Sequence, residues 1–251
     1  MKGMEQIPIF VVTKLAGQGQ IFNEKWIQAR LKLFHAVTFP SITKSMDEGV
    51  YWILFVGESP SKQVSNYIEE HLAYVPNIHI IYQYNDNKLI TKFAKKHSHS
   101  ERYLTCRIDD DDAWPVGHFE TVRKYANDLI NKGHEHCGFC FTNGYEWVVS
   151  DIVDQGMKKK GYNVIIPEMV IEFRKPWLAH SLFILQTKTR PFTSLGVAHS
   201  AIPEKLEQED FKIIELDEPS VSWLYARHQM VDSSLVLSPN LPIDIDLREL
   251  E

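Results

Sequence analysis

Cysteine is scarce in this chain: Cys106, Cys137 and Cys140 are the only three among 251 residues. An odd, sparse set does not make a disulfide framework and points to a reducing compartment. Long apolar runs are also missing, since no window reaches the ~18 consecutive apolar residues of a membrane span. The opening residues MKGMEQIPIFVVTKLAG have neither the long apolar core nor the small-residue cleavage site of a signal peptide. A cytoplasmic protein without a transmembrane segment is expected. Excess positive charge is lacking too: 27 Lys and Arg face 33 Asp and Glu, a net charge of -6. The one run of three lysines, Lys158, Lys159 and Lys160, reads as a solvated turn. Nucleic acid, which needs a basic stripe, is therefore not an expected partner.

What remains is the make-up of a soluble globular protein, 44% hydrophobic and 24% charged, long enough to bury a full core. The run IPIFVVT at 7–13 is apolar and β-branched and reads as a first buried strand, followed by the loop LAGQGQ. Residues 23–38 carry Trp26, Ile27, Leu31, Phe34 and Val37 at helical spacing, with Asn23 as N-cap and Pro40 as terminator. The pattern repeats with strand YWILFV at 51–56, a turn at 58–61 and a helix over 62–72. Strand 78–82, a helix near 89–96, strand 103–108 and a helix over 119–131 follow. This alternation predicts an α/β fold with a mixed, mostly parallel central sheet flanked by helices. From Cys137 the texture changes. CGFCFTNGYEWVV places two apolar arms around Asn143-Gly144, a hairpin signal, and runs at 162–167 and 181–186 add strands. A helix at 203–207 is the next helical period, and antiparallel additions to the same sheet are expected in this C-terminal half. The domain reading is a single domain over 1–236, with halves 1–131 and 132–236, and an irregular tail at 237–251.

The segment TCRIDDDDAW at 105–114 ends the fourth strand in four adjacent carboxylates. Ordering such a cluster without counter-charge raises at least one pKa, and a hard divalent cation relieves the repulsion while also binding phosphate oxygens. In open α/β sheets, ligands bind outside the carboxyl ends of the strands, where this cluster falls. If the segment is extended, Asp109 and Asp111 share one face and Asp110 and Asp112 the other. That is a D-x-D geometry, and it leaves Asp110 as the position expected to tolerate replacement. The competing readings are a solvated acidic turn, or Asp112 capping the next helix. An EF-hand loop is excluded, because Trp114 stands where the turn requires glycine and Pro115 follows. HEHCGFC at 134–140 has zinc-ligand residue types, but no second ligand pair follows, so Cys137 and Cys140 read as core thiols.

These motifs, taken in order, resemble a family of rhamnosyltransferases. The residues that carry the resemblance are FVVTKLAG, the helix pattern Trp26-Ile27-x-x-Arg30-x-x-Leu33-Phe34, FPSI at 39–42, YWILFVGESPS, LTCRIDDDDA, Gly144-Tyr145-Glu146 and SWLYARH at 222–228. The resemblance implies a GT-A fold whose 1–131 half binds a nucleotide sugar (UDP-, GDP- or dTDP-linked) and whose 132–236 half serves the acceptor. It also implies a divalent cation, Mn2+ or Mg2+, on the donor diphosphate. Asp109 would then face the donor's ribose or sugar, Asp111 would hold the metal with Asp112 assisting, and His228, or else His199, would complete the metal shell. The donor site would further draw on Thr13, Lys14, Asp86, Arg107 and Asp110. Asp86 is equally explained by the turn Asn85-Asp86-Asn87, and Arg107 by local ion pairing. For a catalytic base, Glu218 and Asp232 are the candidates, with Asp217 beside them. The acceptor would be a glycan, a lipid-linked sugar or a protein, the lipid-linked case compatible with peripheral membrane association, and rhamnose is the sugar the family's name suggests. Two other classes use the same features: a metal-dependent phosphohydrolase or nucleotidyltransferase, and a non-catalytic carbohydrate-binding protein of this fold.

Overall fold

A computed structural model describes residues 5–16, 24–84, 86–148, 169–217 and 222–227. The first half builds four parallel strands, β1 (Ile9–Lys14), β2 (Val50–Phe55), β3 (Ile78–Ile81) and β4 (Arg102–Arg107). Between them lie α1 (Glu24–Leu33), α2 (Phe39–Thr43), α3 (Lys62–Tyr67) and α4 (Asn87–His97). After β4 come α5 (His118–Asn131), β5 (Cys137–Phe141), β6 (Asn143–Val148) and β7 (Met169–Arg174). The chain continues with β8 (Leu182–Thr187), α6 (Ile202–Gln208), β9 (Lys212–Leu216) and β10 (Leu224–Arg227).

Seven strands form one sheet in the order β3-β2-β1-β4-β8-β5-β9. β8 runs antiparallel to both β4 and β5, and β5 pairs parallel with β9. The sheet is thus mixed and mostly parallel, as expected. β1 and β2 are apolar on both faces because both faces are covered. Ile9 and Val11 of β1, Trp52 and Leu54 of β2, and Leu104 and Cys106 of β4 join Ile27, Phe34, Val64 and Phe119 from α1, the turn that follows it, α3 and α5. The alternate residues Phe10, Val12, Ile53, Phe55 and Tyr103 pack with Ile90 and Ala94 of α4 and with Leu195. At the far edge Cys140, Leu182 and Ile184 meet Ile202 and Leu206 of α6.

Three expectations need correction. Pro40 does not end the first helix. The chain widens into a π-helical turn at Phe34–Thr38, where Phe39 N–H donates to Phe34 O, and Pro40 then sits at the start of α2. A proline in the first turn loses no intrahelical bond. Asn143-Gly144 is not a hairpin turn: β5 and β6 belong to different sheets, β6 forming a three-stranded sheet in the order β10-β6-β7. Thr142 is the crossing point. Gly144 is needed there for space, because a Cβ on it would lie 2.1 Å from the Trp223 indole. The third correction is this small sheet itself, which was not expected beside the large one. The strand foreseen at 162–167, the lysines at 158–160, Asn23 and the tail at 237–251 lie outside the described residues.

Candidate functional site

β1 has β2 on one side and β4 on the other, so the strand order reverses between β1 and β4. Such a reversal opens a crevice at the carboxyl ends of the strands. Val12 lies opposite Arg107 in this pair, so two residues further along each chain Lys14 and Asp109 reach the same edge.

The four aspartates are not extended. Asp112 N–H points to the Asp109 carbonyl at 3.4 Å, closing a turn, so the alternating-face expectation fails and the four separate into different surroundings. Asp110 and Asp111 both face Arg30 of α1: the guanidinium pairs with Asp110 and reaches Asp111 Oδ2 at 2.5 Å. Asp110 also accepts from Ala16 N–H at 2.7 Å. It is therefore the tie between the acidic turn, α1 and the end of β1, and not the position free to vary. Its carboxyl is raised by burial, with Asp111 adding to the rise and Arg30 opposing it. Arg30 is held firmly charged: burial works against the charge, and the two carboxylates outweigh it. Asp112, fully buried, accepts from Ala226 N–H at 3.1 Å and lies 2.9 Å from His180 Nδ1. β10 is held to the same place by paired backbone bonds between Ala113 and Leu224 at 2.9 and 3.0 Å.

Asp109 differs from its neighbours, with a side chain 39% exposed and Arg107 Nε at 3.6 Å. Desolvation alone would raise its carboxyl, but Arg107, His199, His180 and Arg30 together hold it below the usual range. Lys14 is lowered by burial and then by Arg107, with Asp109 pulling the other way. His199 Nδ1 accepts from Ala179 N–H at 2.8 Å, while Nε2 lies 3.3 Å from Arg107 Nη2, a group that can only donate, so the two contacts favour opposite tautomers of the neutral ring. Burial and then Arg107 depress the imidazole to about 4, against the pull of Asp109. The result is an edge where Lys14, Arg107 and His199 gather around one partly exposed carboxylate, and the ammonium and guanidinium there suit an anion such as a diphosphate.

The other expected residues fare differently. Thr13 is fully buried and its hydroxyl accepts from the Trp52 indole at 3.0 Å, so only its backbone faces the edge. Asp86 caps α4, accepting from Lys88 N–H at 2.7 Å. Asp217 pairs with Arg174 at 3.1 Å, both side chains largely exposed. His228, Glu218 and Asp232 lie outside the described residues; β10 ends at Arg227. Of the metal set foreseen from the resemblance, Asp111 and Asp112 lie within the described residues and His228 does not. Asp111 and Asp112 are engaged by Arg30, Ala226 and His180, and His199 by Ala179 and Arg107. Among the described residues no group of three or more His, Cys, Asp or Glu is gathered to hold a metal ion. Cys137 and Cys140 join different core clusters on opposite faces of β5, as residues three apart on a strand must, and burial pushes both thiols up to about 12.

Two contributors escaped the sequence reading. Arg30 carried no role there, although a cation inside the apolar stripe of Ile27, Leu31 and Phe34 is a signal that something buried must neutralise it. His180 had no local signal at all, because its partners are Asp112 and the rings of Trp223 and Tyr225 at 5.1 and 5.3 Å.

Residues 15–164 match the model of the family described as "Putative rhamnosyl transferase". The chain belongs to this family. No curated protein matches it in sequence. Among solved structures it is similar to residues 1–349 of S. aureus TarS in complex with UDP-GlcNAc, with a TM-score of 0.51 at 10% identity over 91% of this chain. The same protein in complex with UDP gives 0.47 at 9% over 88% of this chain. The chain spans 62% and 61% of those two structures' lengths. At such identity the likeness is one of fold, the GT-A-like α/β architecture expected from the sequence. Among the described residues no helix is long and apolar enough to cross a membrane.

Proposed function

We propose that this chain is a glycosyltransferase that moves a sugar from a nucleotide diphosphate donor to an acceptor hydroxyl. The observation that carries the reading is the gathering of Lys14, Arg107 and His199 around Asp109 at the strand reversal between β1 and β4. Glycosyl transfer leaves a nucleoside diphosphate as its anionic product, and preorganised cations at the bond being broken lower that barrier most. In this reading Lys14 and Arg107 face the diphosphate, and Asp109 accepts from donor hydroxyls. Family membership supports the reaction class. A UDP-linked sugar is the first donor to try, because TarS was crystallised with UDP-GlcNAc, and dTDP- and GDP-linked rhamnose-like sugars follow from the family's description.

A divalent cation belongs to the same proposal only as a question for the bench, since the carboxylates that would hold it are already engaged. Thermal shift with UDP, GDP and dTDP, each with and without Mn2+, reads both points at once. Stabilisation by a nucleotide that is lost in Lys14→Ala and Arg107→Ala is expected. If no nucleotide stabilises the protein under either condition, the donor site is misassigned.

A further inference from the structure

A second cationic feature lies on the face of the sheet covered by α4. Tyr103, Thr105 and Arg107 of β4 all point to this face, and the segment after β8 runs along them. Lys188 N–H donates to Glu101 O at 3.1 Å, Thr105 Oγ1 to Phe192 O at 3.3 Å, and Arg107 Nη1 to Val197 O at 3.3 Å. Between that segment and α4 is a cleft of about 650 Å³. One wall is Lys88, Thr91, Lys92 and Lys95 of α4, and the other is Phe192, Thr193 and Val197, with Glu209 at the margin.

The three lysines recur at i, i+4 and i+7, a row about 10 Å long at the helical rise. Like charges so spaced oppose one another by a few tenths of a kcal/mol per pair. All three are exposed, and among the described residues none has a carboxylate within ion-pair distance, Glu209 included. In a chain with a net charge of -6, an uncompensated row of cations along a cleft is chemistry for an outside anion. The cleft also has a direction. Its Val197 end is bonded to Arg107, and Lys88 stands at the start of α4, just past the carboxyl end of β3. One end therefore opens beside the proposed donor site, and the other runs down the sheet toward Glu209.

We infer that this cleft is the acceptor groove and that it takes an acidic oligosaccharide, whose phosphate or carboxylate groups are spaced along the Lys88–Lys92–Lys95 row. Thr91 and Thr193 supply hydroxyls for the sugar, and the half-buried Phe192 ring supplies an apolar surface. The inference rests on the glycosyltransferase reading for the word acceptor, while the binding itself is independent of it.

The test uses calorimetry on the full chain with trigalacturonate as the carboxylate probe, inorganic tripolyphosphate as the phosphate probe and maltotriose as the neutral control. Either or both anions are expected to bind, more weakly as salt is raised, with maltotriose silent. The combined Lys88→Glu, Lys92→Glu and Lys95→Glu variant is expected to lose affinity by on the order of tenfold or more. Its UDP-induced thermal shift should stay that of the wild type, which also shows that it folds. Equal binding of maltotriose and trigalacturonate with tripolyphosphate silent, or undiminished binding of the anions by the variant, overturns the inference. So does binding only to vesicles containing phosphatidylglycerol, which would make the row a membrane contact. A wild type that binds the anions but shows no shift with UDP sinks the donor-site reading and leaves the anion groove standing.

Discussion

The acidic turn and the lysine row of α4 are both runs of like charge, and the protein treats them in opposite ways. At 110–112 the charges are buried and every one has a partner: Arg30 for two, His180 and the Ala226 N–H for the third. At 88, 92 and 95 the charges are exposed and have none among the described residues. Burying a charge is tolerable only with a partner in place, so the acidic turn became part of the architecture. Exposed charges cost little to keep and remain free to meet something else. Of the four aspartates, Asp109 belongs to both descriptions, being partly exposed yet fixed beside Arg107.

The contrast is broken most severely at Arg30. Arg30→Met would leave two buried carboxylates without their cation and should destabilise the fold by about 3–5 kcal/mol, read from urea unfolding. Asp112→Asn keeps an acceptor for Ala226 N–H but removes the charge beside His180; a loss of about 1–3 kcal/mol is expected by the same measurement. Acid provides a third probe. Burial depresses His118 to about 3, so the unfolded chain binds a proton before the folded one does. The stability that His118 contributes is complete above its unfolded pKa and is lost as pH falls from about 6.5 toward 3, by about 1.4 kcal/mol per pH unit. His118→Leu should flatten that limb; an unchanged slope would show that the loss comes from elsewhere, His199 being the next source. Asp109→Asn should shift stability by less than about 1 kcal/mol yet abolish sugar transfer, because only the exposed aspartate is asked to touch the donor. Were Asp109→Asn fully active and Asp110→Asn, though folded, inactive, the division between structural and working carboxylates would have to be reversed.

The parallel half was readable because its information is local. The runs at 7–13 and 51–56 are apolar on both faces and 103–108 on one, and the intervening helical periods are long enough to identify. At Asn143-Gly144 the local signal misled, since the glycine is there to admit Trp223, some eighty residues away. The acidic cluster was placed correctly at the end of a strand, but its conformation was not legible. An extended strand and a tight turn have the same sequence DDDD, and Arg30, Ala16 and Ala226 decide between them. Such partners come from α1, the turn after β1 and β10, and nothing in the spacing around residue 110 announces them. Chemistry that depends on one strand's edge was visible; chemistry that depends on who packs against it was not.

The bond from Ala226 N–H to Asp112 joins residues 114 positions apart. Its consequence concerns time as well as space. While the chain is being made, β1, α1 and β4 can assemble and Arg30 can meet Asp110, but Asp112 stays unfinished until residue 226 has left the ribosome. A nascent chain arrested near residue 215 should therefore hold a sheet whose edge is already built and whose acidic turn still exchanges its backbone hydrogens with water.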